Sequence, residues 1–203
     1  MNLIRGLSVA SQSNFVKIPR ERVGVLVGPD GKIRALIEER LNVKLKIDSE
    51  SGDVEISLSP KAPDPTSLFR AQDIVTAIGR GFSPEHAFKL LDNEEDVLEV
   101  IDLHEKIGKS EADLKRLKGR VIGKDGRTRS LIEELTETNV SVYGHTISII
   151  GGGEQVEIAK QAVRMLLKGS LHSTVYRFLH KKRRDLKKKK LEIWKPSGER
   201  FEE

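Results

Sequence analysis

The feature of this sequence that most constrains its fold is an internal repeat, displaced along the chain by 95 residues. Residues 24–39 read GVLVGPDGKIRALIEE and residues 119–134 read GRVIGKDGRTRSLIEE, so nine of sixteen positions are identical without a gap. Both glycines of a GxxG motif recur at the same spacing, which two merely similar amphipathic helices would not explain. A repeat of this kind indicates two copies of one structural unit.

The residues around each copy predict the same order of helices and strands. A strand precedes each copy, at Phe15–Ile18 and Val97–Leu103, and a helix closes each one, at Thr66–Ile78 and Glu154–Leu167. Helical periodicity follows each GxxG motif, and alternating apolar residues after it indicate a β-hairpin. The order in each unit is therefore strand, helix, GxxG, helix, strand, strand, helix.

Composition narrows the class of protein. The chain has no cysteine, which excludes disulfides and thiolate metal sites. Its apolar runs are short and interrupted, so we expect neither a signal peptide nor a membrane span, and a soluble cytoplasmic protein. The formal net charge of the whole chain is +5, and that of Lys181–Lys190 alone is +7, so the net charge of the remainder is −2. A nucleic-acid site in the body of the protein must therefore be local, and the basic segment is a separate patch.

A GxxG motif between two helices indicates contact with an anion. Glycines let the backbone approach a ligand closely, and the helix after the loop presents free N–H groups and the positive end of its dipole. Lys124, Arg127 and Arg129 add positive charge beside the second loop, and Lys32 and Arg34 occupy equivalent positions beside the first. A phosphate backbone suits that arrangement.

Both loops also resemble a known family. VGPDGKIRALI and IGKDGRTRSLI are similar to the GxxG core of KH domains, in which the loop clamps the backbone of about four nucleotides of RNA. The element order matches the type I, or eukaryotic-type, arrangement. The resemblance implies an α+β fold of two tandem KH domains, each a three-stranded antiparallel sheet packed on three helices. We expect an N-terminal extension at 1–14, a first KH domain with an extra helix (Pro84–Leu91) at 15–93, a second at 94–180, and a basic C-terminal tail at 181–203.

By this resemblance the RNA-binding residues of the second domain are the loop, the cations beside it and an aliphatic groove: Leu117, Arg120, Val121, Ile122, Gly123, Lys124, Asp125, Gly126, Arg127, Arg129, Ile132, Val140 and Val142. The alternative is that the groove members are core residues. For Val121 and Ile132 the two interpretations are equally supported, since groove and core share residues in so small a domain. The equivalent set of the first domain, for RNA or for protein, is Gly28, Pro29, Asp30, Gly31, Lys32 and Arg34. The tail cations expected to contact nucleic acid are Lys181, Lys182, Arg183, Arg184, Lys187, Lys188, Lys189 and Lys190.

The two loops differ in a way that predicts unequal clefts. Each contains an aspartate, which repels phosphate, but Lys124 offsets it in the second loop, where Arg120 and Arg127 also flank the motif. In the first loop Pro29 supplies neither a charge nor an N–H donor, and Val25 stands at the position of Arg120. We therefore expect the second cleft to be the main RNA site and the first to serve more as a spacer or a protein-docking face.

Longer stretches resemble one branch of the KH proteins. EVIDLHEKIGKS, LKGRVIGKDGRTRSLIEELT and VYRFL are similar to the archaeal relatives of the Partner-of-Nob-one proteins, tandem-KH factors of small ribosomal subunit assembly. The resemblance implies binding of single-stranded RNA at the 3′ region of small-subunit ribosomal RNA or its precursor. It also implies a ribosome-assembly endonuclease or a translation factor as protein partner. Charge and periodicity do not by themselves select that substrate.

Other functions have weaker support. GRVIGK resembles a P-loop but is one residue short, and Asp125 replaces the residue that would hold magnesium. The five histidines lack ligand spacing and the acidic residues form no nuclease-like cluster, so we expect no metal, no cofactor and no catalytic residue. None of the nine aromatic residues lies near either loop in sequence, which favours the KH mode over base stacking on rings. A KH-fold protein–protein scaffold with little RNA affinity stays open as the alternative, ahead of an RNA-processing enzyme.

Overall fold

Each copy of the repeat lies in its own unit: residues 1–94 contain the first copy and residues 95–203 the second. The structure, a computed structural model, describes residues 13–59, 65–107 and 110–193. Most of the expected N-terminal extension, residues 1–12, therefore lies outside the described residues. The first strand begins at Ser13, inside the range predicted for that extension.

The first unit has the element order predicted from its sequence. Its elements are β1 (Ser13–Lys17), α1 (Arg20–Val27), α2 (Lys32–Leu41), β2 (Val43–Ile47), β3 (Asp53–Leu58), α3 (Thr66–Gly79), α4 (Pro84–Ala87) and α5 (Lys89–Asp92). A 3₁₀ turn at Pro29–Gly31 joins α1 to α2. β3 is the central strand and pairs antiparallel with β1 and β2. Two short helices, α4 and α5, replace the single extra helix that was predicted.

The second unit repeats this order and adds a long helix at its end. Its elements are β4 (Asp96–Asp102), α6 (His104–Ile107), α7 (Glu111–Ile122), α8 (Arg127–Thr136), β5 (Asn139–Tyr143), β6 (Thr146–Gly152), α9 (Gly153–Leu167) and α10 (His172–Ile193). A 3₁₀ turn at Lys124–Gly126 joins α7 to α8. β6 is central and pairs antiparallel with β4 and β5. The predicted α+β fold of two three-stranded antiparallel sheets, each packed on helices, is confirmed.

Alternating side chains of the central strand explain how helices and sheet share one core. In the second unit Ile147 and Ile149 of β6 have no exposed surface and belong to the same cluster as Val121 of α7 and Ile132 of α8. Ala159 of α9 is also fully buried in it, and its small side chain lets that helix lie close to the sheet. Because α7 and α8 are fixed by this core, the turn between them is held in a defined position.

Helix α10 departs from the prediction. The segment that begins at Lys181, predicted as a separate basic tail, continues α10 without a break as far as Ile193. Val175 and Leu179 are fully buried in the core of the second unit, and Leu186 packs against that core. The dense run of cations concealed the helical spacing of Leu179 and Leu186 in the sequence. Neither α10 nor another helix within the described ranges is long and apolar enough to cross a membrane.

Candidate nucleic-acid interface

The two GxxG turns have the same backbone geometry. In the second turn Gly123, Asp125 and Gly126 have φ angles of 73°, 53° and 77°. The equivalent residues of the first turn, Gly28, Asp30 and Gly31, have φ angles of 71°, 53° and 74°. A difference between the clefts in ligand binding must therefore come from side chains and not from the shape of the loop.

The residue types in the turn follow from this geometry. A Cβ atom on Gly123 would lie 2.2 Å from the Thr128 hydroxyl oxygen, so the close approach of loop and helix α8 requires glycine. Gly126 has open space around it but a left-handed backbone, which glycine adopts at little cost. Asp125 is left-handed as well, and aspartate tolerates that region better than most residues. The loop aspartates thus have a conformational role in addition to the repulsion of phosphate expected from their charge.

The cations of the second loop are free to meet a ligand. Lys124 and Arg127 are exposed, and among the described residues neither has a carboxylate within ion-pair distance. Arg129 is exposed as well, but its Nε lies 3.7 Å from a carboxylate oxygen of Glu133. The other Glu133 oxygen accepts the backbone N–H of Val140 at 2.8 Å, which fixes this side chain beside β5. Two of the three predicted cations therefore present an uncompensated charge.

The cations of the first loop are both paired. Lys32 lies 3.9 Å from Asp30 of its own loop, and Arg34 donates from Nε to Glu38 at 3.2 Å. Pro29 stands where the second loop has Lys124. The positive charge available at the first turn is consequently much smaller, although its backbone is the same.

Arg120 makes structural contacts that its sequence position did not predict. Its Nε donates to the carbonyl of Leu166 at 2.9 Å and its Nη2 donates to the carbonyl of Ser170 at 2.6 Å, both at the end of α9. Arg22 makes the same pair of bonds in the first unit, to the carbonyls of Ile78 and Phe82 at the end of α3. In the first copy this brace comes from Arg22, three residues before the position equivalent to Arg120, so both units are braced although Val25 stands where the second copy has Arg120.

The predicted aliphatic groove is mostly core. Val121 and Ile132 have no exposed surface, and Leu117 and Val140 are 4% exposed. Ile122 and Val142 are partly exposed and are the members of the set able to touch a base. The buried residues support the groove from beneath, which is how so small a domain combines the two roles.

An aromatic side chain lies directly behind the second loop, contrary to the expectation from sequence. The hydroxyl of Tyr176, on α10, is 2.8 Å from the hydroxyl of Thr128, the residue that packs against Gly123. His172, one turn earlier, donates from Nε2 to the carbonyl oxygen of Arg120 at 3.0 Å. The pattern of the loop gave no sign of either contact, because 48 residues separate Thr128 from Tyr176.

The basic residues of α10 divide into two groups. Arg183 pairs with Glu134 at 3.4 Å and Lys189 with Glu154 at 3.0 Å, while Lys182 lies 6.0 Å above the Phe178 ring. Lys188 makes contacts of its own, and the side chain of Lys190 is outside the described part of the structure. Of the predicted cations, Lys181, Arg184 and Lys187 are exposed and have no partner among the described residues. Fewer of the predicted cations are thus available to nucleic acid than their number indicates.

The fold and the paired GxxG turns define a tandem KH protein of type I. Residues 97–184 match the family described as eukaryotic-type KH-domain (KH-domain type I), and residues 13–93 match the Krr1 KH1 domain. Within the described ranges no group of three or more His, Asp or Glu side chains is placed to hold a metal ion.

Similarity to known proteins over most of the chain identifies its branch of the KH proteins. A KH domain-containing protein of Methanocaldococcus jannaschii is 50% identical over 91% of this chain and 80% of its own length. RNA-binding protein pno1 of Drosophila melanogaster is 30% identical over 82% of this chain and 69% of its own length. A Pyrococcus horikoshii structure described as an a/eIF2alpha–aDim2p–rRNA complex matches with a TM-score of 0.81, 47% identity, and coverage of 88% of this chain and 97% of that one. The chain belongs to the tandem KH-domain family of the archaeal relatives of Partner-of-Nob-one.

Proposed function

We propose that this protein binds single-stranded RNA in assembly of the small ribosomal subunit, at the 3′ region of small-subunit ribosomal RNA or its precursor, mainly through the second GxxG cleft. The observation that carries the proposal is that two turns of equal backbone geometry differ in free charge. Lys124 and Arg127 are exposed and unpaired beside the positive end of α8, whereas the first turn has Pro29 and paired cations.

The names of related proteins support RNA as the ligand and ribosome assembly as the process. Proteins of this family from Drosophila melanogaster and Saccharomyces cerevisiae are named RNA-binding protein pno1 and pre-rRNA-processing protein PNO1. The similar Pyrococcus horikoshii chain is described in complex with rRNA. The 3′ region rests on the family resemblance alone. Sedimentation of the protein with pre-ribosomal particles, and not only with free messenger RNA, is the observation that this assignment requires.

The geometry indicates how the second cleft would hold a strand. Backbone phosphates meet Lys124, Arg127 and the first turn of α8, and bases lie against the exposed parts of Ile122 and Val142. Contacts to phosphate position the strand without reading its sequence, while apolar contacts and hydrogen bonds to base edges supply the preference. The proposal assigns the protein no catalytic step: it holds RNA on which other factors act.

The protein partner is part of the proposal. The resemblance implies a ribosome-assembly endonuclease or a translation factor, and the Pyrococcus horikoshii complex also contains a/eIF2alpha. We assign the first cleft to a protein-docking or spacer role, because Lys32 and Arg34 are already paired within the unit. A KH scaffold with little RNA affinity is the alternative, and RNA titration separates the two.

Equivalent substitutions in the two clefts test the proposal. Arg127→Ala and Lys32→Ala remove cations at the same position of the repeat, and RNA affinity is measured by fluorescence anisotropy with a short single-stranded RNA. We expect Arg127→Ala to weaken binding by about 1–3 kcal/mol and Lys32→Ala by less than half as much. The wild-type log–log slope against salt should be about −2 to −4, because about three to six phosphates each release counterions. Equal losses, or a flat response to salt, would contradict the assignment.

A further inference from the structure

A cleft of about 460 Å³ lies between the second GxxG loop and α10. It shares Gly123, Lys124 and Arg127 with the loop, and neither Ile122 nor Val142 of the aliphatic groove is part of its lining. It is therefore a concave surface adjoining the KH groove and distinct from it.

The cleft is lined by positive charge. Arg116, Arg120, Lys124 and Arg127 line it, and within the described part of the chain no carboxylate does. Arg116 is bonded at 2.9 Å to Asp113, which lies outside the lining. Hydrogen bonds from Arg116 and from Ser110 hold the pKa of Asp113 below its usual range, so this carboxylate stays ionised and compensates one of the four charges. The remaining excess of positive charge favours an anionic ligand.

One wall of the cleft is aromatic. His172 and Tyr176 of α10 are both half-buried there, with ring centroids 6.2 Å apart and ring planes inclined at 60°. Single-stranded nucleic acid binds surfaces of this kind: its bases stack on the rings while its phosphates contact the nearby cations. The volume is larger than a phosphate ion needs, and the rings leave room for the ribose or base attached to it.

The first unit lacks this arrangement, which makes it an internal comparison. Three of the four cations have replacements at the equivalent positions of the repeat, namely Glu21, Val25 and Pro29. After α3 the first unit continues into the short helices α4 and α5, and its described residues include no counterpart of the long helix α10 with its two rings. The cleft is a property of the second domain and not of the KH fold as such.

We propose that this cleft is a second RNA subsite, which takes one further nucleotide of the strand held by the second GxxG loop. Its phosphate lies between the unpaired Arg127 and the Nη1 group of Arg116, because Arg116 donates to Asp113 only from Nε and Nη2. Its ribose or base lies against Tyr176 and His172. Lys124 and Arg127 face both the loop and the cleft, which gives the strand a continuous basic path. The inference rests on the proposed function and extends the footprint beyond the roughly four nucleotides of a KH groove.

Two charge reversals and two RNA lengths test the subsite. Arg116→Glu changes a cleft residue, while Arg164→Glu makes the same change at an exposed arginine of α9 in the same unit, outside the cleft. Affinities are measured for a four-nucleotide and an eight-nucleotide RNA of the same base composition. We expect Arg116→Glu to weaken the longer RNA about tenfold more than Arg164→Glu does, and the two variants to affect the shorter RNA alike.

Crosslinking tests the subsite by a measurement that does not depend on long-range electrostatic effects of the substitutions. An eight-nucleotide RNA with 4-thiouridine at each end in turn should crosslink, from one end only, to the tryptic peptide Gly169–Arg177, which contains both rings. Equal effects of the two arginine variants on the longer RNA, together with no crosslink in this peptide, would overturn the subsite and leave the proposed function standing. Failure of the wild-type protein to bind either RNA would overturn both.

Discussion

Substitution of Arg120 distinguishes a structural brace from an RNA contact. Its guanidinium donates to the carbonyls of Leu166 and Ser170 at 2.9 and 2.6 Å and ties α7 to the end of α9. The two bonds come from one charged group that is partly buried, and the positive charge also lies at the negative end of the α9 dipole. We expect Arg120→Ala to lower the free energy of unfolding of the second unit by about 2–4 kcal/mol.

A conservative variant makes this test specific. Arg120→Lys keeps the charge but cannot reach both carbonyls with a rigid fork, so it should still lose about half of that stability. Arg127→Ala is the control: its side chain is exposed and unpaired, so its stability should change by no more than about 0.5 kcal/mol while its RNA affinity falls. Arg22→Ala removes the equivalent brace from the first unit and should cost that unit a similar amount.

The assay must separate the two units, since a chain of two units need not unfold in one step. Urea unfolding followed by circular dichroism gives the transitions, and hydrogen exchange of the segment 166–176 assigns the one that belongs to the second unit. The brace is refuted if Arg120→Lys unfolds like the wild type while Arg120→Ala loses as much RNA affinity as Arg127→Ala. Arg120 would then be an RNA contact, as its sequence position predicted.

Two further outcomes follow from the side chains around the loops. Pro29→Lys gives the first turn the lysine that the second turn has at the same backbone geometry. In a Lys124→Ala background this substitution should raise RNA affinity about three- to tenfold in anisotropy titrations. No gain in affinity would show that loop charge does not decide the difference between the clefts. Replacing Lys181, Arg184 and Lys187 of α10 by Ala should weaken the binding of all RNA sequences alike, because these cations can contact phosphates but are not placed by the loop to contact bases. The log–log slope of affinity against salt should become shallower by up to about 2. A changed sequence preference in the triple variant would instead make α10 a specificity element.

The repeat allowed the fold to be predicted because its determinants are local. The glycines fix the turn through a left-handed backbone and a close contact within five residues, between Gly123 and Thr128. Alternating and helical apolar spacing predicted the strands and the main helices on either side of each turn. Lys124 and Arg127, placed beside the loop by their sequence positions, are exposed there, and their contact with RNA stays a prediction.

Only the tertiary structure shows which of the predicted site residues are bonded or buried within the fold. Arg120 bonds to backbone carbonyls 46 and 50 residues away, and every residue type has a carbonyl, so no spacing in the sequence marks the partners. Tyr176 reaches the loop only because Val175 and Leu179 are buried in the core and fix the rotation of α10. Local geometry is encoded by neighbouring residues, whereas the assignment of a cation or a ring to RNA, to an acid or to a carbonyl depends on packing between distant segments.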